Sequence, residues 1–173
     1  MSRRRPAHAR GRRPAACALV TVSDTRGPAD DASGDALARG LVRAGHEVIS
    51  RVWVRDEVPS IRRAVRAALA RSTTDAVLLT GGTGVAPRDR TPEAVAPLLD
   101  RELPGFGELF RLLSYRQVGS SAWLSRAGAG VSKGRLIAWL PGSTRAVALA
   151  TSKLLAPELA HALRLLGRPE PGA

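Results

Sequence analysis

The sequence predicts an α/β protein, a three-layer α/β/α sandwich built on a mostly parallel sheet. Two observations lead there. Short apolar runs of strand length alternate with segments of helical periodicity, and that rhythm places parallel strands in a sheet with helices on both faces. One run, Asp75–Thr80, is apolar almost throughout, as a strand buried on both sides must be. Composition agrees: 173 residues, 44% hydrophobic and 24% charged, describe a globular chain. A chain of this size buries roughly 70% of its unfolded surface as a single domain. With aromatic residues at 3%, the core must come from Leu, Val and Ala.

The elements follow in order. Ala16–Val22 reads as the first strand, followed by a loop rich in Asp and Gly. Ser33 is placed to cap a helix carrying Leu37, Leu41 and Val42 on its apolar face, and Gly45 stops it. His46–Val54 alternates as a second strand, with Val48, Val52 and Val54 on one face and Ile49 and Trp53 on the other. Pro59-Ser60 precedes a basic amphipathic helix from Ile61 to about Arg71, whose arginines make a solvated face. After the Asp75–Thr80 strand, Thr91-Pro92-Glu93 opens a helix with Thr91 as N-cap. Phe106–Leu113 is helical, and Ser120–Gly130 has no assignable pattern. Arg135–Leu140 is a strand, Pro141-Gly142 breaks it, and Ser143 or Thr144 caps a last helix reaching about Leu166.

The formal net charge is +12, and 25 of the 27 cations are arginines. Six of them (Arg3, Arg4, Arg5, Arg10, Arg12 and Arg13) crowd an acid-free start, leaving +6 for the rest. Residues 1–14 are expected to form a disordered arm, 15–166 a single domain, and 167–173 a disordered tail. Ser2-Arg3-Arg4 followed by Ala15–Val22 imitates an export signal, but that run ends in Ser23-Asp24-Thr25-Arg26 without a small-residue cleavage site. A buried strand explains it better. No apolar run approaches the ~18 residues of a membrane span, so a cytoplasmic protein with no membrane contact is expected. The single cysteine, Cys17, excludes a disulfide framework and a cysteine-rich zinc site. His8, His46 and His161 suggest neither a metal cluster nor a Ser-His-Asp arrangement.

Chemistry concentrates in two strand-to-helix loops, Thr80-Gly81-Gly82-Thr83-Gly84 and Leu140-Pro141-Gly142-Ser143-Thr144. Glycines at a strand's C-terminal end let backbone N–H groups approach a ligand, and a following helix start favours phosphate. Three glycines and two threonines exceed what a plain turn requires; Pro141-Gly142 alone reads as a turn. The order is neither G-x-G-x-x-G nor a Walker loop, which argues against a kinase or P-loop NTPase. Arg88-Asp89-Arg90 would suit Mg²⁺ and anionic oxygens, or equally a surface ion-pair cluster. Asp56-Glu57 and Asp24 end neighbouring strands on the same rim, although Asp56-Glu57 also fits a helix-start charge.

At these residues the chain resembles the MoaB/Mog family of molybdenum-cofactor biosynthesis. The resemblance runs through Thr80–Gly84, Arg88–Ala94, Asp100–Glu108, Ser125-Arg126 and Leu140–Thr144, with Thr21–Arg26 and Ser33-Gly34 matching the first loop. Ser143-Thr144 after Pro-Gly, and Phe106–Arg111, look more like the MoaB branch. The resemblance implies a molybdopterin-binding fold, assembled as a homotrimer or hexamer. It also implies Mg-ATP-dependent adenylylation of molybdopterin, giving adenylyl-molybdopterin and pyrophosphate, with Mg²⁺ as cofactor and a molybdenum-insertion protein as a possible partner. By position, Asp56 and Asp89 would be the catalytic and metal-holding pair. Thr80, Gly81, Gly82, Thr83, Gly84 and Arg88 would hold phosphate groups, with Ser23 and Asp24 on the same rim. Ser125, Arg126, Pro141, Gly142 and Ser143 would line the pterin side. The alternative is a non-catalytic molybdopterin-binding or scaffold protein of the same pathway. A charge-driven nucleic-acid binder is a weaker reading, since the chain lacks aromatic platforms for stacking bases.

Overall fold

The computed structural model describes residues 13–25 and 27–167. The predicted disorder of the arm up to residue 12 and of the tail from residue 168, like the Arg26 end of the first loop, lies outside the described residues. Arg13, counted above with the arm, pairs its guanidinium with Asp75 at 3.1 Å. The elements are β1 (Ala16–Val22), α1 (Ala32–Arg43), β2 (Glu47–Val54), α2 (Val58–Ala70), β3 (Ala76–Thr80) and α3 (Thr91–Val95). Then come β4 (Arg101–Glu102), α4 (Pro104–Val118), β5 (Gly128–Ser132), β6 (Arg135–Leu140), α5 (Thr144–Ala150) and α6 (Ala156–Leu165).

The strands form one six-stranded sheet in the order β2-β1-β3-β6-β5-β4. Neighbours from β2 to β6 pair in parallel, and β5 runs antiparallel to both β6 and β4. The predicted three-layer α/β class with a mostly parallel sheet is what the chain adopts. Alternation along β1 feeds both cores. Cys17 and Leu19 face the layer of α1, α4, α5 and α6, packing with Leu37, Leu41, Phe110, Val147 and Leu159. Ala18, Val20 and Val22 face α2 and α3, packing with Ile61, Val65, Leu69 and Val95. Fully buried side chains such as Leu37 and Ile61 each stabilise the sandwich by roughly 1.5–3 kcal/mol.

Several local expectations need correction. Val48 pairs with Cys17 and Ser50 with Ala18, so Ile49 bulges out of the β1–β2 ladder. One inserted residue reverses the face of everything beyond it. Val48 therefore packs in the α1-side core and Val54 in the opposite one, not together as the alternation suggested. Asp31, not Ser33, caps α1, accepting from the Gly34 N–H at 2.8 Å. Helix α2 starts at Val58, with Pro59 in its first turn where the missing N–H costs nothing. Thr91 lies inside α3 rather than capping it, because its hydroxyl donates to the Gly81 carbonyl at 2.8 Å. Helix α4 is longer at both ends than Phe106–Leu113. The unassigned stretch becomes a 3₁₀ segment (Gly119–Leu124) and β5. The last helix contains a π-helical turn at Thr151–Leu155, just before Pro157, whose ring a regular α-turn could not accommodate.

Candidate functional site

The chain passes from β1 to β2 through α1 and then crosses back through α2 to β3 on the far side of β1. Strand order reverses there, and the crevice outside the carboxyl ends of such strands is where doubly wound sheets bind ligands. A cleft of about 390 Å³ occupies it. The end of β1 contributes Ser23 and Asp24, the end of β2 Asp56, and the end of β6 Pro141, Gly142 and Ser143. The loop after β3 contributes Thr80, Gly81, Gly82, Thr83, Gly84, Arg88 and Asp89, and Ser125 closes the far side.

Hydrogen bonds fix the glycine loop. The Gly81 N–H donates to the Leu140 carbonyl at 3.0 Å, and the Thr80 hydroxyl donates to the Pro141 carbonyl at 2.9 Å, so the loops after β3 and β6 are stitched together. Thr91 donates its N–H to the Gly82 carbonyl at 2.9 Å. Gly81 and Gly82 have φ of +102° and +63°, values that favour glycine. Space demands it as well: a Cβ on Gly81 would collide with the Val22 carbonyl, and one on Gly82 with Asp56 and Thr91. The N–H groups of Gly82, Thr83 and Gly84 donate to no partner among the described residues. Three successive donors of this kind on a cleft wall make a candidate anion cradle. Helix α3 starts only at Thr91, so the donors come from the loop backbone rather than from an adjoining helix start.

The acids lie directly against this loop, Asp56 at Gly82 and Asp89 at Gly84. Asp56 accepts from the Arg90 N–H at 2.9 Å, Asp89 from the Ala86 N–H at 2.9 Å, and Asp24 from the Asp56 N–H at 3.0 Å. One oxygen of each carboxylate is thus held by backbone. Burial pushes the Asp56 carboxyl up, and the charges of Asp89 and Asp24 push the same way, against the Arg90 N–H and the Arg88 charge. A cation held between these acids would relieve that repulsion. Among the described residues no three His, Cys, Asp or Glu side chains form a metal cage. The carboxylates present in the cleft, Asp56 and Asp89, would fit Mg²⁺, which takes one or two carboxylates and fills its shell with water and phosphate oxygens.

Arg126 is the predicted site residue that the cleft lining does not include. It stands behind the glycine loop as a strut, with Nε donating to the Gly84 carbonyl at 2.7 Å and a terminal nitrogen to the Asp89 carbonyl at 2.8 Å. A second terminal nitrogen pairs with Glu93. Conversely, the sequence reading did not select Asp31, Thr21 and Ser33 as site residues, and all three line the cleft. The signal was available in Asp31-Ala32-Ser33-Gly34, where an acid three residues before a glycine fits an N-cap as well as the serine did.

A doubly wound α/β domain with donors and carboxylates gathered in one cleft at its switch point has the layout of a small-molecule-binding domain. Residues 18–161 match the family described as the probable molybdopterin binding domain. The chain is 50% identical over 149 residues to molybdenum cofactor biosynthesis protein B of Bacillus subtilis, covering 86% of this chain and 88% of that one. It superposes on the molybdopterin biosynthesis enzyme MoaB of Thermus thermophilus with a TM-score of 0.80 at 43% identity, over 89% of this chain and 98% of that one. The tungsten cofactor synthesizing protein MoaB of Pyrococcus furiosus gives 0.81 at 34% identity, over 90% and 98%. The chain belongs to the MoaB/Mog family of molybdenum-cofactor biosynthesis proteins. No helix among the described residues is long and apolar enough to cross a membrane.

Proposed function

We propose that this protein adenylylates molybdopterin. A phosphate oxygen of molybdopterin attacks the α-phosphorus of ATP, the new P–O bond forms, the bond to the β-phosphate oxygen breaks, and pyrophosphate leaves. The observation that carries this reading is the donor cradle of Gly82–Gly84, without a partner among the described residues, set beside Asp56 and Asp89 in one cleft. An ionised phosphate needs no base, so the site has to supply position and charge neutralisation. The cradle N–H groups and Arg88 hold phosphate oxygens, and the Thr80–Pro141 bond keeps the two loops in register while both substrates bind. Ser125, Pro141, Gly142 and Ser143 orient the pterin, and Ser23 and Asp24 close the rim. Asp56 and Asp89 would hold Mg²⁺, and when bound that ion neutralises charge building on the phosphates.

Self-association, as a homotrimer or hexamer, fits the apolar surface on α4 and the turn after it. Leu112, Tyr115, Val118 and Trp123 are all more than half exposed there, and Trp123 reaches 72%. A patch of that kind marks a protein contact. A cytoplasmic location and hand-over to a molybdenum-insertion protein complete the reading.

The test is pyrophosphate release from molybdopterin and Mg-ATP, with Asp89→Ala as control. Release by the natural protein and background release by the variant are expected. Equal release by both would end the adenylylation reading; if molybdopterin still bound, the non-catalytic scaffold role would replace it.

A further inference from the structure

We propose that Asp31 is a specificity-determining residue of the cleft: it takes the protons of Thr21 and Ser33, so that this corner presents hydrogen-bond acceptors and selects a heterocycle bringing N–H donors. The inference rests on the cleft being the molybdopterin and ATP site. It goes further by assigning a role to the buried acid that adenylyl transfer leaves unused.

Asp31 is 2% exposed, Thr21 6% and Ser33 3%, yet all three line the cleft. Four donors surround the carboxylate. The Ser33 hydroxyl at 3.2 Å and the Gly34 N–H at 2.8 Å reach Oδ1. The Thr21 hydroxyl at 2.7 Å and the Arg51 guanidinium at 3.2 Å reach Oδ2. An ionised carboxylate offers about four lone-pair positions, so these donors saturate it. Asp31 is therefore neither a general base nor a metal ligand as it stands. Burial alone would push its carboxyl up, but the four donors together outweigh it and hold the group below its ordinary value. Arg51, which also pairs with Asp35 at 2.8 Å, sets a positive charge behind it.

The consequence lies with the hydroxyls. Each has one proton, and an ionised carboxylate can only accept, so both protons point at Asp31. What Thr21 and Ser33 turn toward the cleft is lone pairs. The cleft is thus polarised, with N–H donors on the glycine loop for phosphate and acceptors at the start of α1. A ring edge with an amino group or ring N–H satisfies that corner, whereas an oxo group would leave two acceptors facing a third. Both proposed substrates carry such an edge, the amino group of adenine and the 2-amino group of the pterin.

The experiment titrates the full chain, with Mg²⁺, against two matched pairs. One pair is ATP and inosine triphosphate. The other is a pterin monophosphate and its lumazine counterpart, in which an oxo group replaces the 2-amino group. One pair should be discriminated by about tenfold or more in favour of the amino compound, which identifies the ring seated at the corner. Asp31→Asn brings an amide donor that turns one hydroxyl proton toward the cleft, and should erase most of that preference. Because Asp31→Asn also weakens the α1 cap, Thr21→Val and Ser33→Ala are measured alongside, and each should reduce the preference severalfold in a protein that still melts cooperatively. Equal binding within both pairs, or a preference unchanged in all three variants, overturns the proposal while leaving the adenylylation reading standing. If no compound of either pair binds, both readings fall.

Discussion

Replacing Arg126 with alanine removes one guanidinium that ties the Gly84 carbonyl, the Asp89 carbonyl and Glu93 together. Hydrogen bonds from a charged donor contribute about 1.5–3 kcal/mol each. The side chain is 36% exposed, which calls for the low end of that range for the two carbonyl bonds, and the exposed pair with Glu93 adds little. The expected cost is about 2–3 kcal/mol, or roughly 4–12 °C in Tm for a domain of this size. Arg126→Lys should not restore it, because three acceptors in different directions need the planar fork. Since the Asp89 main chain is one of the tied points, kcat should fall with the carboxylate's loss of position, while the salt dependence of substrate binding should hardly change. Thermal melts, amide exchange over residues 84–93 and steady-state pyrophosphate release check this. An alanine variant melting within about 1 °C of the natural protein, with unchanged exchange but weakened substrate binding, would refute the strut and make Arg126 a direct phosphate ligand.

Asp56→Asn should abolish pyrophosphate release and yet raise Tm at neutral pH by about 1–2 °C, because it removes a charge crowded by Asp89 and Asp24. The sign follows from its raised pKa. The folded state holds that proton more tightly than the unfolded one, so the acid's penalty appears as pH rises through the window above 3.8 and vanishes below it. A stability gain that grew toward acid pH would contradict this. Gly82→Ala should cost about 1–2 kcal/mol for its left-handed φ, and more for the clash with Asp56, read as a lower denaturant midpoint and lost turnover. Cys17 is buried, and burial pushes its thiol up to about 12, with the Asp75 charge acting in the same direction. Alkylation at neutral pH should therefore proceed only as fast as the protein opens, and rapid labelling of the native state would contradict the packing of β1.

Much of the fold was legible in the sequence. β1 and β6 run over Ala16–Val22 and Arg135–Leu140 as the apolar runs indicated, because both strands are buried on both faces and leave continuous hydrophobic stretches. The β4–β5 pair was not legible, since Gly128 and Gly130 carry no strand signal. Their reason is tertiary: a Cβ at 128 would strike the Trp139 ring, and one at 130 would strike Leu99 and the Arg101 carbonyl. The bulge at Ile49 left no trace either, because a period of two looks the same on both sides of an inserted residue.

The site divides along the same line. The sequence by itself determined that glycine loops and acids sit at strand ends, because turn chemistry and apolar periodicity are written locally. Tertiary structure alone decided which side chains share a cavity. It placed Arg126 behind the glycine loop rather than in the cleft wall where it was expected to line the pterin side, and used the Thr91 hydroxyl to hold Gly81 rather than to cap α3. It also brought Asp31 to Thr21 across ten residues and Asp56 to Asp24 across thirty-two. The physical reason is the crossover of α2 past β1. That topology brings the ends of β1, β2, β3 and β6 to one rim, and no local pattern records how far apart two residues lie once the chain has crossed the sheet.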